Sequence, residues 1–153
     1  MGVLKSSPLF LLMGIAAIAK RSNQFVSRLP VHVAQAVLNV ETKLVDMNRR
    51  QMLASKRADG APITPLYSNP YARRKGFKKP NLYVTGEFQS EMFLHVNENE
   101  GTFFISSFDE KMKYLIKMYS LKIFGIAPKD LPQAQKISVD QLRSIYYLYV
   151  FNC

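Results

Sequence analysis

The sequence predicts an α+β fold: a long amphipathic helix, a small antiparallel sheet built on a β-hairpin, and additional N- and C-terminal helices. Three observations carry this reading. Val33, Val37, Val40, Leu44 and Met47 recur at spacings of three and four, which marks one buried helix face. Met92, Leu94 and Val96 recur every second residue, as they do on one face of a strand. The turn-forming cluster Asn97 to Gly101 then leads into a second apolar run, Thr102 to Ser106, so the chain returns on itself as a hairpin with a loop of about five residues.

The 153 residues are 48% hydrophobic, with ten Phe and eight Tyr. That is enough to fill one core, and a chain of this length buries roughly two-thirds of its unfolded surface. A single domain, residues 1–153, is expected in five segments. Residues 1–29 hold an apolar helix and a linker. The run Leu9 to Ala19, preceded by Lys5 and ending Ala17-Ile18-Ala19, has the outline of a secretion signal with its cleavage site. It is too short to span a bilayer, which takes about 20 residues. The expectation is instead a short helix over 9–20 that buries itself against the domain or a partner and serves assembly, with no membrane contact.

Residues 30–57 are predicted as the long helix, of about six turns. Pro30 suits its first turn, where a backbone N–H has no partner in any case. Gln35, Asn39, Lys43, Asp46 and Arg50 occupy the polar face, and Asp59-Gly60 ends the pattern. Residues 58–81 contain Pro62, Pro65, Pro70 and Pro80, a density at which no regular element is expected. Long loops in compact domains are usually functional, and this one carries Arg73, Arg74, Lys75, Lys78 and Lys79 among Tyr71 and Phe77. These seven residues are the candidate partner-binding set. Residues 82–127 give the hairpin and a helix capped by Asp109, with Met112, Leu115, Ile116 and Tyr119 on one stripe. Residues 128–153 give a linker and a last helix from Ser138, with Leu142, Ile145, Tyr146 and Tyr149 inward.

Residue chemistry argues against catalysis. The two histidines, His32 and His95, have no second ligand at metal-binding spacing, and no phosphate-cradling glycine pattern occurs. The one cysteine, Cys153, has no partner for an internal disulfide. No catalytic residue, cofactor or metal is expected.

Charge is the stronger signal. The net charge is +10, unevenly spread. Lys43 to Lys79 holds ten basic and two acidic residues, whereas Asn81 to Glu110 holds six acidic residues and no Lys or Arg. Alternating blocks suit a molecule with one positive and one negative surface that docks on neighbours. The alternative is a nucleic-acid-binding protein that uses the basic stretch 73–79, its cations holding phosphates and its aromatic residues stacking on bases. No helix-turn-helix, zinc-finger or aromatic RNA-binding pattern accompanies that stretch. An adaptor of unrelated type is a third reading.

From Ala58 to Ile126, nearly half the chain, the features fall in a distinctive order: Asp59-Gly60, Pro62, Pro65-Leu66-Tyr67, Lys75-Gly76, Leu82-Tyr83-Val84-Thr85-Gly86-Glu87-Phe88 with Met92, and Phe124-Gly125. This ordered set resembles the virion-morphogenesis and tail-completion proteins of tailed bacteriophages, which help finish the head-to-tail joint. The resemblance implies a structural virion protein, a subunit of a homo-oligomeric ring at the neck or tail top. Its partners would be phage connector and tail proteins, with only weak non-specific DNA contact. It would be located in the virion, and in the host cytoplasm during assembly. Asp59, Gly60, Leu82, Thr85, Gly86 and Phe88 would be structural motif residues. Thr85-Gly86 is expected to form a tight turn in which glycine takes a positive φ, with Phe88 plugging the core beneath.

Overall fold

A computed structural model describes the backbone of residues 8–151 and the side chains of residues 14–151. It contains α1 (Pro8–Ser27), α2 (Leu29–Asn39), α3 (Glu41–Leu53), α4 (Asn69–Lys75), α5 (Glu87–Ser90), β1 (Met92–Asn97), β2 (Thr102–Ser107), α6 (Met112–Tyr119) and α7 (Leu131–Phe151), with a 3-10 turn at Leu121–Ile123. The two strands form one antiparallel hairpin, running from Met92 opposite Ser107 to Asn97 opposite Thr102. The α+β class therefore holds, with the hairpin where the alternation placed it.

The helix expected over 30–57 is two helices. Val40 leaves the helical region at φ −112°, ψ 12°, and α3 starts afresh at Glu41. The apolar stripe runs unbroken across this joint, with Val37, Val40, Leu44, Val45 and Met47 all in one core. Two weak helix formers, Asn39 and Val40, sit at the break, and the restart lets α3 turn alongside β1. Glu41 gains a partner there: its Oε1 accepts the Leu94 N–H at 2.8 Å. The carboxylate thus takes one bond that a third strand would make on that edge of the sheet. A lone hairpin is marginal in water; this one is held because Met92, Leu94 and Ile105 enter the core beside Leu44 and Met52. Burying each such side chain stabilises by about 1.5–3 kcal/mol.

Three further boundaries differ from expectation. The Pro-rich segment contains α4, because Pro70 falls in the first turn, where it is tolerated, and Gly76 at φ 80° closes the helix left-handedly. The last helix begins at Leu131 rather than Ser138, with Pro132 likewise in its first turn. The first helix continues to Ser27, because Phe25 is buried against α2 and α7. Phe25 stacks on His32 at 4.2 Å and meets Tyr146 and Tyr149 edge-on, while Arg21 donates to the Val150 carbonyl at 3.0 Å. These contacts run antiparallel along α7, so the N-terminal part of α1 passes beyond the end of α7. Residues 14–20 are exposed throughout. The side chains of Leu9 to Met13, and all of Cys153, lie outside the described residues.

Two fully or nearly buried amides tie the C-terminal half to α3. Asn48 donates to the Ile123 carbonyl at 2.9 Å and accepts the Gly125 N–H at 3.2 Å. Gln51 accepts the Ala127 N–H at 2.8 Å and donates to the Gly125 carbonyl at 3.3 Å. Gly125 has φ +118°, and a Cβ there would lie 3.0 Å from the Ala58 methyl.

Removing the Asn48 amide strands the buried Ile123 carbonyl and the partly buried Gly125 N–H. We therefore expect Asn48→Ala to cost about 1–3 kcal/mol for each of the two groups, measured by urea unfolding; a loss below 1 kcal/mol would show that the clamp is dispensable. A second expectation concerns His32, whose Nε2 is buried without a hydrogen-bond partner among the described residues. Burial, and secondarily the Arg28 charge, hold its pKa below the ordinary 6.5. The folded state then binds its proton less readily than the unfolded state. The stability this provides is complete above about pH 6.5 and is lost as pH falls through the depressed value. Thermal unfolding of the wild type should therefore weaken from pH 7 to 5 more than that of His32→Phe; equal slopes would rule out this histidine as the source.

Candidate interaction surface

The candidate residues gather around an apolar groove of about 470 Å³. One wall is the stretch 65–71 leading into α4. Another is the Leu82 to Gln89 stretch, which holds the motif turn, and α6 closes the third side. Leu66, Val84, Leu115 and Met118 line it together with Tyr67, Tyr71 and Tyr119. Val84 and Met118 are 67% and 58% exposed, so this apolar surface meets solvent.

The motif turn behaves as its residues dictate. Gly86 sits at φ +92°, where a Cβ would press on the Tyr83 ring at 3.1 Å, and Phe88 is buried against Phe124. Thr85 Oγ1 accepts the Glu87 N–H at 3.5 Å. Leu82 is buried at φ +55°, a conformation costly for a side-chain-bearing residue. Gln89 over-determines it: Nε2 donates to the Leu82 carbonyl at 2.7 Å. The Gln89 Oε1 is buried with no hydrogen-bond partner among the described residues. On the facing wall, the Tyr67 hydroxyl accepts the Asn81 N–H at 3.3 Å, and the Tyr67 N–H donates to the Lys78 carbonyl at 3.0 Å. Burial pushes the phenols of Tyr67 and Tyr119 above the ordinary tyrosine range, so both stay neutral near pH 7.

The basic set divides. Arg73, Arg74, Lys78 and Lys79 are exposed and form no ion pair among the described residues. Lys75 reaches back to the Tyr83 carbonyl and so ties α4 to the motif turn. Arg74 lies over the Tyr71 ring at 5.4 Å and Lys75 over Phe77 at 5.9 Å. Phe77 in turn sits 6.3 Å from Tyr67. The structure therefore brings 71–79 and 82–88 together on one surface. Asp59-Gly60 stands apart from it. The Asp59 carboxylate accepts the Ala61 N–H at 3.0 Å and pairs with Arg57 at 2.9 Å and Lys122 at 3.3 Å. Those contacts, the Ala61 amide first, hold its pKa below the usual range. It shapes a turn beside Lys122.

Several surface residues carried no individual signal in the sequence. Lys111 lines the groove and pairs with Glu87 at 3.0 Å. Phe104 on β2 is 56% exposed and packs on His95 at 4.8 Å. Among the described residues no cluster of three His, Asp or Glu side chains is placed to hold a metal ion, and no helix is long and apolar enough to cross a membrane.

No family model, no curated protein and no solved structure matches the chain.

Because Gln89 supports the left-handed Leu82, Gln89→Ala should destabilise the fold by about 1–3 kcal/mol through the stranded carbonyl. The groove wall should loosen with it, read as faster amide exchange at Tyr83 and Val84. Unchanged exchange there would mean that the turn holds itself.

Proposed function

We propose that this chain is a structural virion protein of a tailed phage: a ring-forming neck or tail-completion subunit that joins the head connector to the tail. Two lines support the reading. The ordered motifs from Asp59 to Gly125 carry the family resemblance. The single observation behind an assembly role is that the motif stretch 82–88 forms a wall of an exposed apolar groove, with four cations beside it that form no ion pair among the described residues. Exposed apolar surface of this kind marks interaction sites. Residues 14–20 of α1, with Ile15 59% exposed, add a second uncovered element, which serves contact with neighbouring subunits or the tail beneath.

The nucleic-acid reading draws on the same cations. Arg74 and Lys75 already cover faces of Tyr71 and Phe77, which leaves phosphate contact as the main contribution and base stacking a small one. Such binding is non-specific and falls steeply with salt.

The test replaces Arg73, Arg74, Lys78 and Lys79 together with Ser and leaves Lys75 on the Tyr83 carbonyl. In a phage carrying the variant gene, heads and tails should accumulate unjoined, while the purified variant keeps the wild-type circular dichroism spectrum. Exposed charges contribute little to stability. Normal yields of joined particles would remove the basic segment from the joint. Duplex DNA binding that persists at physiological salt in the wild type would favour the nucleic-acid reading instead.

A further inference from the structure

The groove and the hairpin tip lie at opposite ends of one element. Gln89, just before β1, and Lys111, just after β2, line the groove, so it sits at the base of the hairpin. The tip, Asn97 to Gly101, is six strand residues away, about 20 Å at 3.3 Å per residue. A copy of this chain therefore cannot place its own tip in its own groove.

The two ends are chemically complementary. The groove offers an apolar floor flanked by Arg73, Arg74, Lys78 and Lys79; the rim carboxylates Glu87 and Asp109 both face Lys111, at 3.0 and 3.9 Å. The tip offers Glu98 and Glu100, both exposed and without a cationic partner among the described residues. Of the two helices packed on β1, α2 contains no Asp, Glu, Lys or Arg, and on α3 Arg49 is engaged by Asp46 and the Gln89 carbonyl at the hairpin base, while Lys43 and Arg50 form no ion pair with the tip among the described residues. Beside the tip, Phe103 and Phe104 are exposed on β2. Acid with aromatic at one end matches base with apolar groove at the other. Opposite potentials of this kind fix register and partner choice.

We propose that the β-hairpin tip of one copy docks in the groove of the next, with Glu98 and Glu100 against the cations of 73–79 and Phe104 on the apolar floor. The occupant of the groove is thus a second copy of this chain. This deepens the ring reading and rests on it, because a head-to-tail contact between unlike surfaces generates a ring where the rotation closes and a filament where it does not.

The experiment uses the purified full-length chain, nuclease-treated, with native mass spectrometry and sedimentation velocity at low and moderate salt. One variant carries Glu98→Lys and Glu100→Lys; the other carries Arg73→Glu, Arg74→Glu and Lys78→Glu. All five positions are exposed, and circular dichroism checks that both variants remain folded. Wild type should form oligomers that weaken as salt rises. Each variant alone should be monomeric at the same concentration. An equimolar mixture should recover oligomers with the two variants in equal amounts, because each reversed tip then meets a reversed groove. A structural defect would not be repaired by mixing. Oligomers that survive both reversals, or that vanish only when residues 8–20 are deleted, would overturn this docking and leave a ring built on another surface. A small molecule retained in the groove of a monomeric wild type would overturn it as well. A wild type that is monomeric at every concentration, with an empty groove, would overturn both the docking and self-assembly of the isolated chain.

Discussion

The fold depends on two side-chain amides inside an otherwise apolar helix face. Asn48 and Gln51 stand three residues apart on α3, and together they satisfy four backbone groups of Ile123, Gly125 and Ala127. Buried backbone without a partner is costly, and beyond the 3-10 turn that ends at Ile123 this segment belongs to no helix or sheet that could supply one. The amides stand in for secondary structure. They fix where α6 ends and where α7 sets off, so the hairpin-side half and the helical half share one core. Gly125 completes the arrangement, because its φ and the nearby Ala58 methyl leave no room for a side chain.

The same device recurs at the groove. Gln89 holds the Leu82 carbonyl, the Asn81 side chain accepts the Tyr83 N–H at 3.2 Å, and Lys75 binds the Tyr83 carbonyl. Residues 81–85 form no regular element, yet side chains from α4 and α5 satisfy their backbone. A loop pinned in this way presents Val84 to solvent without much freedom to lose. Preorganisation of that kind lowers the cost of association.

Local patterns were legible in the sequence and long-range pairings were not. The hairpin was readable because alternation is a two-residue signal, and the α6 stripe of Met112, Leu115, Ile116 and Tyr119 because it spans barely two turns. The break at Val40 was hidden, because the apolar stripe passes straight through it and only the demand of Leu94 for Glu41 reveals the restart. Proline density masks the helix α4, because what decides is the turn each proline occupies. Pro70 sits where it is harmless. At the site, the cations of 73–79 and the turn at Gly86 could be named from residue type alone. The groove could not, since its walls come from stretches separated by up to about fifty positions and meet only once Asn48 and Gln51 have drawn the later segment onto α3. The role of Gln89 was equally invisible, because a lone glutamine in a sequence carries no sign that it supports a strained neighbour.

Charge segregation and uncovered apolar surface are best understood together. A chain that left Val84, Met118, Ile15 and Phe104 exposed with no net charge would associate without direction. Here the excess of ten positive charges opposes random encounter, since like-charged copies repel at long range. In the proposed docking that repulsion is relieved where Glu98 and Glu100 of one molecule approach the basic 73–79 edge of another. The net charge thus disfavours most orientations, while the segregated ends favour one. Once that orientation is reached, the apolar floor supplies the short-range attraction that screened surface charges cannot. In that docking the direction of growth would follow from where the hairpin points relative to the groove, and α3 holds both, through Glu41 on one side and Asn48 and Gln51 on the other.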